Sequence, residues 1–151
     1  MADETFDLNQ KFALLAIDDD DRKGEVSAGL QELGYKVHVA TSADDARDRL
    51  RKTAYEVVVV DQGFQGGTAL DNPLLKLLQA MPMTLRRYMF VALLATDVKT
   101  LDNMTAFAYS VNAVVNYNDV AQIKPIFQRA FADNDQFFRV VRAVLQEAGK
   151  R

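Results

Sequence analysis

The chain has 151 residues, 49% of them hydrophobic, and no cysteine; this suits one compact domain and excludes a disulfide scaffold, a thiol nucleophile and a Cys-rich zinc site. Against 18 Lys and Arg stand 21 Asp and Glu, a net charge of -3, with no polybasic run to mark a nucleic-acid ligand. A single histidine excludes multi-His metal centres, so carboxylates, hydroxyls and amides must carry any chemistry.

Residues 1–10 are polar and acidic and lack the basic start and apolar core of a signal peptide; they read as a flexible leader to a cytoplasmic protein. No eighteen apolar residues run together, so no membrane span is expected. A first apolar run, 12–17, enters four consecutive aspartates, Asp18 to Asp21. Val26, Leu30 and Leu33 then fall at helical spacing, and Gly34 supplies the stop. The second run, 35–40, alternates cleanly and reads as an edge strand with His38 on its polar, surface side. Ser42 is placed to cap a helix carrying Ala43, Ala46 and Leu50.

Val57 to Val60 is apolar and β-branched at every position, as a strand covered on both faces requires, and it runs into Asp61. After it, Gly63, Gly66 and Gly67 suggest a mobile loop. Asn72 followed by Pro73 opens a third helix with Leu74, Leu75, Leu77 and Leu78. A fourth strand, 88–94, leads to Thr96 and Asp97, and Leu101, Met104, Phe107 and Ala108 outline a fourth helix. The last strand, 113–115, meets Asn116. A final helix from near Asp119 carries Ile123, Phe127, Ala130 and Phe131; Phe138, Val141 and Leu145 nearly extend its stripe, although Asp133 with Gln136 also fits a fresh cap.

Strands alternating with helices from end to end predict an α/β fold with a five-stranded parallel sheet. Ligands of such sheets bind beyond the carboxyl ends of the strands. Those ends carry Asp18 to Asp21, Asp61, Thr96 and Asn116. Crowded carboxylates need a cation, and Mg²⁺ suits them because it takes hard oxygen ligands and leaves room for phosphate. A carboxylate beside such an ion can attack phosphorus, and Asp61 has the place for it. The plainer reading of the four aspartates is a solvated cap on the first helix, where negative charge suits the dipole.

These residues resemble the receiver domain of two-component response regulators over about residues 11–131. The resemblance implies a flavodoxin-like, doubly wound sheet of order 2-1-3-4-5, followed by a helical extension over 132–151. It makes Asp18 and Asp19 the acidic pair holding Mg²⁺ together with Asp61, the register within Asp18 to Asp20 being open by one. Asp61 becomes the phosphoacceptor and Thr96 the hydroxyl that follows the phosphoryl group. Asn116 stands where the family has Lys, and Ala113 where it has an aromatic switch residue. A neutral amide contributes about 0.5–1.5 kcal/mol where a charged donor gives about 1.5–3, so coupling through Asn116 should be weaker. Lys99 is the alternative cation, from the following loop.

Three functions follow, none of them turnover by an enzyme except the last. The preferred one is a stand-alone receiver, phosphorylated on Asp61 by a sensor histidine kinase or phosphotransfer protein and signalling to an output protein by contact. The alternative is a pseudo-receiver, a binding module that does not depend on phosphorylation. A minor alternative is a haloacid-dehalogenase-like phosphohydrolase, from the spacing of Asp18 and Asp20, with Arg22 departing from that pattern. Phe137, Phe138, Val141 and Leu145 are expected to form a homodimer or partner interface.

Overall fold

The computed structural model describes residues 10–68 and 71–149, and within the last helix leaves aside the side chains of 136–143, 145, 146, 148 and 149. The expected N-terminal segment, apart from Gln10, and the side chains of Phe137, Phe138, Val141 and Leu145 therefore lie outside the described residues. Strands β1 (Lys11–Ala16), β2 (Tyr35–Val39), β3 (Val57–Asp61), β4 (Phe90–Ala95) and β5 (Ala113–Asn116) form one parallel sheet of order β2-β1-β3-β4-β5. Between them run helices α1 (Asp20–Glu32), α2 (Ala43–Lys52), α3 (Pro73–Gln79), α4 (Met83–Arg86) and α5 (Asn103–Ala108), and α6 (Ile123–Gly149) follows β5. This is the doubly wound, flavodoxin-like order expected from the sequence.

The period of two along each strand divides the core into two layers. Leu14, Val58, Val60 and Leu93 meet Leu74, Leu75 and Leu78 of α3 on one face, while Leu15, Val57, Val59 and Leu94 meet Val26 and Leu30 of α1 and Ile123 and Phe127 of α6 on the other. Every residue of β3 is buried, Asp61 included. Such a central strand holds its last side chain in a fixed direction, and the site depends on that.

Local signals explain the element ends. Ser42 caps α2 through Asp45 N, and Asn72 caps α3 through Leu74 N and Leu75 N. Gly34 ends α1 at φ +95°, a conformation costly to residues with a Cβ. Several elements differ from expectation. Tyr88 and Met89 precede the fourth strand, because the short helix α4 and its closing turn take up that stretch. Asp102 caps α5 at Met104 N, so Leu101 falls before the helix and Ala106 turns inward, leaving Met104 and Phe107 exposed. His38 is half-buried rather than on open surface: its ring lies 5.3 Å from Phe12 and its Nδ1 2.7 Å from Tyr55 Oη. Asp133 caps nothing, since α6 runs unbroken after a 3₁₀ turn at Tyr117–Gln122. Among the described residues no helix is long and apolar enough to cross a membrane.

Candidate functional site

The site is built on a buried negative charge. β3 carries Asp61 to the carboxyl edge with 1% of its surface exposed, and a carboxylate so placed requires a counter-charge and hydrogen-bond donors. The first turn of α1 supplies the charge. Asp19, the N-cap, accepts from Arg22 N at 2.9 Å; this sets Arg22 as the third residue of the helix, and its Nε donates to Asp61 Oδ2 at 2.9 Å. The other oxygen, Oδ1, accepts from Gly63 N at 2.9 Å and from the hydroxyl of Tyr117. The Arg22 guanidinium also lies 3.8 Å from the centre of the Tyr117 ring, a cation–π contact.

Arg22, Asp61 and Tyr117 thus form a closed triad. Burial works against the Arg22 charge, but the hydrogen bond and the charge of Asp61 outweigh it and raise the guanidinium pKa further. Burial, followed by the same carboxylate, pushes the Tyr117 phenol well above its ordinary value. Arg22 therefore stays a cation, and Tyr117 keeps its proton and remains a donor.

The remaining predicted residues lie near this triad but not in it. Asp18 Oδ2 accepts from Gln65 N at 2.7 Å and so holds the glycine-containing loop. Asp20 projects into solvent beside Lys23. Thr96 pairs with Gln62, whose side chain bonds both Thr96 Oγ1 and Thr96 N. Asn116 donates to Thr96 O at 2.9 Å and Val98 O at 2.8 Å, bracing the loop after β4 rather than reaching Asp61. Lys99 is exposed, and Ala113 is buried in the core. Buried Asn72 ties the end of β3 to α3 by donating to Asp61 O and Gln62 O.

The donor set argues against magnesium in this arrangement. Among the described residues no three acidic or histidine side chains are grouped to hold a metal ion. Both Asp61 oxygens accept hydrogen bonds from the chain itself, and Asp19 uses Oδ2 on the helix cap. Arg22 and Tyr117 were absent from the sequence-based site. The signal that could have found them is the physical need for a cation at Asp61 once Asn116 has replaced Lys, with Arg22 at the head of the adjoining helix.

No family model matches the chain, and no curated protein matches it. Solved structures do. The chemotaxis response regulator CheY4 of Vibrio cholerae aligns with 81% of this chain and 99% of its own, at 17% identity and a TM-score of 0.64. A CheY-like receiver domain from Methylobacillus flagellatus aligns over 81% and 99%, at 20% identity and a TM-score of 0.59. The chain has the receiver fold. NtrX from Brucella abortus extends the match to 94% of this chain, which is 30% of that protein, at 17% identity and a TM-score of 0.66. Within the receiver fold Asp61 ends the central strand, and the chain fills the space around its carboxylate with its own cation and phenol.

Proposed function

We propose that this protein is a pseudo-receiver: a signalling module of receiver fold that binds other proteins without being phosphorylated on Asp61. One observation carries the reading. Arg22, Tyr117 and Gly63 N together engage both oxygens of Asp61, so a phosphoryl group or Mg²⁺ would have to compete with the chain's own donors for this carboxylate. Arg22 is a tethered counterion in this reading, holding continuously the position that a dissociable ion would hold only part of the time. Asn116, bonded to two backbone carbonyls, acts as a loop brace and not as a phosphate ligand. Its output is exerted through surface contacts, and its partners are proteins rather than substrates.

The phosphorylated receiver is the second reading, favoured by the placement of Asp61 and Thr96 at strand ends on one edge of the sheet. The phosphohydrolase reading loses its motif, since Asp20 points to solvent at 94% side-chain exposure. Incubation with acetyl phosphate and Mg²⁺, followed by intact mass, separates the first two. The expected result is no adduct on the natural chain. A Mg²⁺-dependent gain of one phosphoryl group, lost in Asp61→Asn, would establish the phosphorylated receiver instead.

A further inference from the structure

The amino ends of the strands, opposite Asp61, border an open groove of 1120 Å³. Its walls come from the end of α2 and the loop after it, from α4 and its closing turn, and from Phe131 to Asp135 of α6. We propose that this groove is the docking site for an acidic, amphipathic peptide segment of a partner protein.

The apolar surface of the groove comes from α4 and the turn after it. Six large hydrophobic side chains are exposed among the described residues, and three of them, Met83, Leu85 and Tyr88, fall within this one short stretch. Leu85 and Tyr88, 57% and 68% exposed, line the groove together with Leu50, Met81 and Met89. Clustered apolar side chains of this kind mark contact surfaces, and Tyr, Met and Arg are the residue types that interfaces favour.

The polar half decides which partner. Lys11, Arg51, Lys52 and Arg87 line the groove against two carboxylates, Glu56 and Asp135, so a chain of net charge -3 gathers an excess of cations here. Lys52 also pairs with Asp48, but both are exposed, and such a pair holds its cation weakly. An apolar floor with a cationic rim is complementary to alternating acidic and apolar side chains. The same floor, with Glu56 and Asp135 beside it, is poorly suited to a phosphate backbone. The groove is a contact surface at the edge of the sheet away from Asp61, and its binding does not depend on whether Asp61 is phosphorylated.

The test is fluorescence anisotropy of a short dye-labelled peptide alternating Asp and Glu with Leu and Phe, titrated with the full chain. Saturable binding is expected, weakening with salt, and unchanged after treatment with acetyl phosphate and Mg²⁺. Affinity should fall at least tenfold in the exposed double variants Arg51→Glu with Lys52→Glu and Leu85→Ser with Tyr88→Ser, both keeping the natural unfolding midpoint. The proposal is overturned if the peptide does not bind, if a Lys-substituted peptide binds equally, or if the variants bind as the natural chain does. A single-stranded oligonucleotide that displaces the peptide would assign the groove to nucleic acid. Self-association lost in the groove variants would assign it to a second copy. Binding only after Phe6→Ser with Leu8→Ser would assign it to the chain's own N-terminus. Each of these three outcomes also overturns it.

Discussion

Arg22 answers a problem created by its neighbours: four buried valines deliver Asp61 to a position where its charge meets almost no water. Removing one member of a buried ion pair costs about 3–5 kcal/mol, but the Arg22 side chain keeps 27% of its surface exposed, so water can replace part of it. Arg22→Met is therefore expected to lower stability by about 2–3 kcal/mol in urea unfolding. Combined with Asp61→Asn, which removes the charge as well, the loss should shrink; simple additivity would show that the two residues are not coupled. The Asp61 end of the site was legible, because a carboxylate after an unbroken β-branched run demands a partner. Its partners were not, because the reach of Arg22 and the turn of Tyr117 depend on how α1 and the segment after β5 are set against β3. His38 is a separate case. Burial, then the charges of Arg49 and Lys36, lower its pKa in the folded protein, while the unfolded chain titrates near about 6.5. The unfolded state thus takes up the proton first. Stability is full above about pH 6.5 and falls as the pH drops from there through the folded pKa. His38→Gln, which can still bond Tyr55, should flatten the change in urea midpoint between about pH 7.5 and 5.5.

The secondary structure elements were readable where a sequence signal is local and strong. Short apolar runs located the strands, Gly34 stopped α1, and Asn72 with Pro73 started α3. Periodicity failed in α5, whose six residues make too few turns for an apolar stripe to fix the buried face; the Asp102 cap fixes it instead. α4 is shorter still, and no stripe announces it. α1 shows how packing and propensity separate at two positions of one helix. Gly24 is exposed, and a Cβ there would meet nothing within 4 Å, so Gly24→Ala should stabilise by about 0.5–1 kcal/mol through helix propensity alone. At Gly29 an added Cβ would stand 2.5 Å from Ile123 Cγ2 of α6. That methyl is a branch fixed near the backbone and cannot swing aside, so Gly29→Ala should destabilise by about 1–2 kcal/mol despite the same gain in propensity. Thermal unfolding of the two variants checks this: if both raise the midpoint, α1 and α6 do not pack as closely as the contact implies.

At the scale of the whole molecule, the first turns of α6 anchor it to the sheet. Among its described side chains, the buried anchors Ile123, Phe127 and Ala130 lie near its start, and its 27 residues extend over about 40 Å at 1.5 Å per residue. Helical segments shorter than about 12–15 residues are marginal in water without tertiary support. The sequence places Phe137, Phe138, Val141 and Leu145 along the far portion, and Val144 there is 62% exposed. A second copy of the same helix would support such a stripe on both chains at once, as a two-fold contact pairs one patch with itself. Sedimentation equilibrium should therefore detect a monomer–dimer equilibrium whose average mass rises with protein concentration. Val141→Glu with Leu145→Glu should give a monomer at all concentrations and a loss of helical ellipticity confined to the extension, while Leu85→Ser with Tyr88→Ser on the groove leaves the dimer intact. Natural and charged chains sedimenting alike as monomers would show that the far portion of α6 is supported by something other than a second copy.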